Sequence, residues 1–229
     1  MKNMTHATSL FTEAQIETIE AAIAEAERRT SGEVVPVVAT ASGRYDRAED
    51  LFAFLLALVT LTIVWIGLQD VGLSAEAWSG GPALILNLPW VLVILAAAFL
   101  VGIALATRFP LLRLPLISQR EMQEEVERRA HETFQRLRVR KTAGATGILI
   151  YVSLYERMVR VVGDDAISAR LSQDDWQAVC DTIIEGFKTG KPADGLRDGI
   201  LHCGELLAEH FPGESGDVNE LADTLHLLD

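Results

Sequence analysis

The chain has 229 residues and a formal net charge of −12. That acidic balance argues against a nucleic-acid partner, because such binding is dominated by cations meeting phosphate. The two cysteines, Cys180 and Cys203, form neither a CxxC pair nor a disulfide framework and read as small buried hydrophobes.

Residues 1–15 contain no apolar segment of the signal-peptide type. Residues 10–30 read as an amphipathic helix. Thr12 is placed to cap it and Gln15 completes a capping box. Ile16, Ile19, Ile23 and Ala26 share one face. Arg28 and Arg29 suit its negative end, and Gly32 is expected to stop it in the left-handed conformation. Residues 33–40, EVVPVVAT, read as a strand covered on both faces. Pro36 cannot donate to a ladder, which predicts an edge strand or a bulge.

Two uncharged apolar runs follow a polar stretch. The first runs from Leu51 to Leu68 and the second from Leu88 to Thr107. About 20 apolar residues at 1.5 Å rise cross the hydrocarbon core of a bilayer. Both runs are hydrophobic all round, unlike the amphipathic helices of soluble proteins. They predict a transmembrane helical hairpin, residues 51–107, in the lipid bilayer. Arg44 and Arg47 precede it, and Arg108, Arg113 and Arg120 follow it. The loop 69–87 holds Asp70 and Glu76 but neither Lys nor Arg. The positive-inside rule therefore predicts cytoplasmic flanks and an outside loop. Because the hairpin falls after the first strand, residues 1–50 and 108–229 read as one discontinuous soluble domain.

Beyond the hairpin, Pro110 and Pro115 mark an extended connector. Residues 118–137 read as a helix with Ser118 and Glu121 as a capping box and Met122, Val126, Ala130, Thr133, Phe134 and Leu137 as its stripe. Residues 148–153 and 158–162 read as the strands of a β-hairpin, and Asp164-Asp165 opens a short helix over 166–171. A further helix is expected over 172–189, capped by Ser172 and ended by Gly190. The last helix runs from Pro192 to about His210. The tail, 213–229, is acidic. Leu221, Leu225 and Leu228 are spaced for one helical face, and the tail is expected to dock weakly or stay loose. This order of elements places the chain in the α/β class.

An ordered series of motifs resembles the TPM domain proteins, named for thylakoid-lumen, photosystem-repair and acetylcholine-receptor-modulator members. Ser31-Gly32-Glu33-Val34-Val35-Pro36-Val37-Val38 is similar to the family's G-x-E-hydrophobic strand. Thr146-Gly147-Ile148-Leu149-Ile150-Tyr151-Val152-Ser153 is similar to its N-G-hydrophobic strand. Glu156-Arg157 stands where many members have D-R. The stretch from Gly204 to Pro212 resembles a branch ending G-x-x-L-A-x-H-F-P. The resemblance implies a three-layer α/β/α sandwich around a small mixed sheet, here interrupted by the hairpin, in a membrane-anchored branch of the bacterial inner membrane. It also implies metal binding and acid phosphatase activity, as described for parts of the family. The frequent G-x-G-L-E run is replaced here by Gly163-Asp164-Asp165-Ala166-Ile167.

Ligands of open α/β sheets gather at the carboxyl ends of strands. That edge should collect Thr40, Ser42 and Asp46 after the first strand and Ser153, Tyr155 and Glu156 after the second. The third strand runs antiparallel, so Asp164 and Asp165 should lie at the opposite end. Asp164, Asp165, Asp174 and Asp175 form the best oxygen-ligand set for Ca²⁺ or Mg²⁺. The same residues also serve as caps and dipole partners at two helix starts. Glu156 and Arg157 read as a turn ion pair. No Cys-x5-Arg loop, D-x-D motif or P-loop is present. Two functions follow as expectations. One is a membrane-tethered, non-enzymatic factor that binds a membrane-protein partner and assists its assembly or maintenance. The other is a metal-assisted acid phosphatase-like hydrolase.

Overall fold

The computed structural model describes residues 6–68, 88–142, 144–172, 174–213 and 219–229. The expected outer loop, 69–87, and tail residues 214–218 lie outside the described residues. The chain divides into two compact units, one built on Arg44–Ser118 and the other on Thr5–Gly43 with Gln119–Asp229.

In the second unit, helix α1 (Glu13–Glu27) starts as its sequence predicts. The Thr12 side chain accepts from Gln15 N, and Gln15 Oε1 accepts from Thr12 N at 2.9 Å. Strand β1 (Glu33–Ala39) follows. Helix α4 (Gln119–Arg136) leads to β2 (Gly147–Ser153) and β3 (Met158–Gly163). Helices α5 (Asp165–Ser168), α6 (Gln177–Lys188) and α7 (Pro192–His210) come next, and β4 (His226–Leu228) ends the unit. The sheet order is β3-β2-β1-β4. β1 is parallel to both β2 and β4, and β2 is antiparallel to β3, so the sheet is mixed.

Alternation along the strands sorts the core into two layers. Val34, Val38, Ile148, Ile150, Val152 and Val161 pack with α1, α6 and α7. Val35, Val37, Ala39, Leu149, Tyr151 and Val162 pack with Val126, Ala130 and Phe134 of α4. Helices thus cover both faces, which makes a three-layer α/β/α arrangement. Every residue of β1 and β2 is buried.

Several local expectations are corrected. Pro36 marks neither an edge strand nor a bulge, since β1 lies inside the sheet order, but it falls on a stretch of β1 left as a local edge. β4 reaches only Val37, Val38 and Ala39. On that side, Thr40 N donates to Leu228 O, whereas Val34 N donates to Glu27 Oε1. Pro36 falls between these two bonds, where no ladder donor is needed. Its missing bond would be worth about 1 kcal/mol, less than the ~1.5–3 kcal/mol that burial of a single valine contributes. Gly32 is not left-handed; among the described glycines only Gly190 has a positive φ, at 76°. α6 begins at Gln177 rather than at residue 172. Ser172 donates through N and Oγ to Asp175 Oδ2 instead of capping the helix. The leucines of the tail do not form a helical face. Leu227 and Leu228 join β4, where the open edge of β1 supplies partners that a lone helix cannot match.

The other unit holds α2 (Asp46–Leu68) and α3 (Leu88–Arg108). Both helices are long and apolar enough to cross a membrane. They meet along small residues: a Cβ on Gly102 would lie 2.6 Å from Ala53 Cα, and Ala53, Ala57 and Ala106 are buried. Close backbone approach of this kind favours helix association in lipid. Glu49 in the first turn of α2 accepts from Thr107 of α3 and pairs with Arg113 at 3.0 Å.

The crossing of α6 and α7 is equally tight, since a Cβ on Gly186 would lie 2.4 Å from Gly195 Cα. Gly186→Leu is therefore expected to lower stability by about 2 kcal/mol or more through overpacking. Chemical denaturation followed by circular dichroism will read this as a drop in midpoint with unchanged slope.

Candidate functional site

The carboxyl ends of β1 and β2 are brought level by their register, in which Ala39 pairs with Ser153. The strands stay together past their ends, with Leu154 N donating to Ala39 O at 2.9 Å and Tyr155 N to Thr40 O at 3.0 Å. A four-residue turn then reverses the chain into β3, with Arg157 at φ 56°. This conformation costs a non-glycine residue about 1 kcal/mol or more. It leaves Arg157 exposed and Glu156 buried.

The turn delivers the Glu156 carboxylate beneath the chain that leaves β1. Ser42 N donates to Glu156 Oε1 at 3.0 Å and Oε2 at 3.2 Å, and Gly43 N donates to Oε1 at 3.2 Å. Ser153 Oγ donates to Oε2. Ser42 Oγ donates to Ser153 Oγ at 2.8 Å and lies 3.2 Å from the Tyr151 hydroxyl. Burial pushes the Tyr151 phenol above its ordinary pKa, against the lowering effect of Ser42. The sequence reading placed Ser42, Ser153 and Glu156 on this edge, and the structure brings all three into one network. It missed Tyr151. The signal for Tyr151 was strand parity, which puts it on the same face as Ser153.

A hydroxyl chain ending on a carboxylate is an arrangement that can activate a nucleophile. Here Ser153 is 1% exposed and Ser42 6%, so neither hydroxyl meets a substrate from solution. The network instead fixes backbone. It satisfies the N–H groups of Ser42 and Gly43, the third and fourth positions past the end of β1, just before Arg44, where the other unit begins. The part of Glu156 in the turn is this inward role; the contribution of Arg157 is its backbone conformation.

The four aspartates fall into two pairs. Asp164 caps α5 by accepting from Asp165 N at 2.8 Å. Arg140 lies 3.4 Å from Asp164 Oδ1 and pairs closely with Asp165. Asp164 N donates to Gly147 O, so this pair sits where β2 begins, opposite to Glu156 as expected. Asp175 is held by Ser172, whose hydrogen bonds lower its pKa. Asp174 is exposed. Ca²⁺ asks for six to eight oxygen ligands. Among the described residues, no group of three or more His, Cys, Asp or Glu side chains converges to hold a metal. Asp164 Oδ2 is buried without a partner, but its neighbouring carboxylate already carries Arg140. The donor set does not fit a resident Ca²⁺ or Mg²⁺. Nor do the cysteines offer a nucleophile: burial pushes Cys180 up to about 11 and Cys203 up to about 12.

Glu156→Ala removes the acceptor for the buried Ser42 N–H, the half-buried Gly43 N–H and the Ser153 hydroxyl. Each unsatisfied group costs about 1–3 kcal/mol. The variant is expected to unfold at lower denaturant and to exchange the Ser42 and Gly43 amides at least tenfold faster. Glu156→Gln, which keeps one acceptor oxygen, should fall between.

Comparison with known proteins now adds to this geometry. No curated protein matches the chain. The solved NMR structure of the BA42 protein from the psychrophilic bacterium Bizionia argentinensis sp. nov. is similar, with a TM-score of 0.54 at 22% sequence identity, covering 94% of each chain. This likeness bears on the fold. Over residues 116–206, which hold α4, β2, β3, α5, α6 and most of α7, the chain matches the TPM domain family.

Proposed function

We propose that this chain is a membrane-tethered TPM-type domain that binds a membrane protein and assists its assembly or maintenance without catalysing a reaction. The observation that supports it is the surface of α2 and α3. Phe54, Leu58, Ile63 and Ile66 on α2 stand exposed, as do Leu92, Val93, Leu100 and Val101 on α3. Apolar surface left in water costs ~25 cal/mol per Å², whereas a bilayer removes that cost. Residues 51–107 are then a hairpin inserted in a discontinuous soluble domain, 1–50 with 108–229. The arginines that flank both helices favour a cytoplasmic domain and an outside loop.

The matched family model carries phosphatase in its name. The binding reading is preferred because the Ser42–Ser153–Glu156 network is buried and Asp164, Asp165 and Asp175 are engaged by protein donors.

Two measurements test this reading. An impermeant maleimide should label a Ser79→Cys variant in intact cells and a Glu13→Cys variant only after permeabilisation; the reverse pattern would overturn the orientation. Affinity capture of the full chain from detergent extracts should return an integral membrane protein well above background. In parallel, release of p-nitrophenol from its phosphate should stay at background with and without Ca²⁺ or Mg²⁺. Metal-dependent release that is lost in Asp164→Asn/Asp165→Asn would replace the binding reading with the hydrolase.

A further inference from the structure

The C-terminal segment is held to the sheet mainly by carboxyl groups. Glu33 accepts from Glu220 N at 3.1 Å and Leu221 N at 3.3 Å, and Glu20 accepts from Leu225 N at 3.3 Å. At the far end Thr40 Oγ1 donates to Asp229 Oδ1 at 2.6 Å and Thr8 Oγ1 to Oδ2 at 2.5 Å. Between these ends β4 contributes three residues of ladder, so side-chain anchors outnumber ladder pairs.

One carboxyl in this set lacks a donor. Glu27 Oε1 accepts from Val34 N at 2.8 Å, but Oε2 is buried and accepts no hydrogen bond. Its neighbours are the carboxyls of Glu33 from β1 and Asp223 from the tail. Two carboxylates cannot bond without a proton between them. A proton on Glu27 turns the orphaned oxygen into a donor toward Asp223 and removes one of the like charges.

We propose that Glu27, Glu33 and Asp223 form a proton-operated latch that tightens segment 219–229, and strand β4 with it, onto the sheet on acidification.

Burial, with the charges of Glu33 and Asp223 adding to it, pushes Glu27 up to about 9 from its ordinary 4.5. Burial raises Glu33 as well, against the lowering effect of the Glu220 and Leu221 N–H groups. A raised carboxyl favours the docked state fully below its free pKa and progressively less as pH climbs through its docked value. Docking therefore weakens as pH rises toward Glu27's raised value. Asp229 has the opposite sign, because hydrogen bonds from Thr40 and Thr8 hold it down at about 2. Its contribution is lost only in strong acid. His6 stands 3.7 Å from Asp229, and burial with Arg136 nearby lowers His226 on β4. Arg28 and Arg29, at the end of α1, are engaged by Glu25. When the segment lifts, the Thr40 N–H loses Leu228 O and the edge of β1 opens for pairing.

Hydrogen exchange on the full chain in detergent micelles tests the latch, with each rate divided by its intrinsic value at that pH. Peptides covering 219–229 should be at least tenfold more protected at pH 5 than at pH 9, while peptides covering β2 stay constant. Glu27→Gln, neutral at every pH and able to donate to Asp223, should flatten the dependence and keep high protection at pH 9. Equal protection of 219–229 at both pH values in the unmodified chain, or an unchanged slope in Glu27→Gln, would overturn the proposal. Should the β2 peptides of Glu27→Gln lose protection, Asp223→Asn decides: a slope as steep as that of the unmodified chain overturns the latch, and a flattened one supports it.

Discussion

Seven residue pairs, Glu33 with Gly147 through Ala39 with Ser153, join β1 to β2 in parallel. The two strands are separated by the whole of α2, α3 and α4, and Ser42 and Glu156, which meet at their ends, lie 114 residues apart in sequence. Closing so long a loop costs little more than closing one of half the length, because the entropy grows only with the logarithm of length. The burial of two strands on both faces far exceeds that increment. The insertion of two apolar helices after β1 is therefore compatible with an intact sheet. The two core layers, the placement of β3 and the edge that β4 occupies all follow from this pairing.

The same pairing explains why the carboxyl groups of the domain behave differently. Glu156 arrives at the strand ends where backbone N–H groups and a hydroxyl are left without acceptors, and it satisfies them. Its burial is compensated by those hydrogen bonds. Glu27 arrives beside Glu33 and Asp223 and finds one N–H for two oxygens. An uncompensated buried charge is expensive, so burial pushes the carboxyl well above its ordinary range. Glu156 fixes the exit from β1, and Glu27 sits beside the tail.

In the helical pair, Gly102 and Ala53 permit an approach that no larger residue allows, and large side chains are left on the outside. Glu49 meets Thr107 and Arg113 at the end of the helices that carries the connections. An apolar exterior with an ion pair at one end is the reverse of a soluble helix pair, whose apolar stripe faces inward.

Features set by local chemistry and periodicity are written directly in the chain. The capping box of Thr12 and Gln15, the alternating faces of β1 and β2, the β-hairpin and the two long apolar helices were legible because each is written within a few turns or residues. The meeting of Ser42, Ser153 and Glu156 was legible in outline, since parallel strands bring their carboxyl ends together. Tertiary structure alone decided the rest. Leu221, Leu225 and Leu228 carry spacing suited to a helical face, yet residues 226–228 form β4 because β1 offered unpaired backbone beside them. Pro36 is accommodated in β1 because β4 stops short of it. The grouping of Glu27 with Glu33 and Asp223 depends on where α1, β1 and the tail converge, and no sequence spacing encodes that distance. Propensity is a weak local preference, whereas an unsatisfied strand edge or a buried carboxyl is a constraint of about 1–3 kcal/mol set by whatever the fold places next to it.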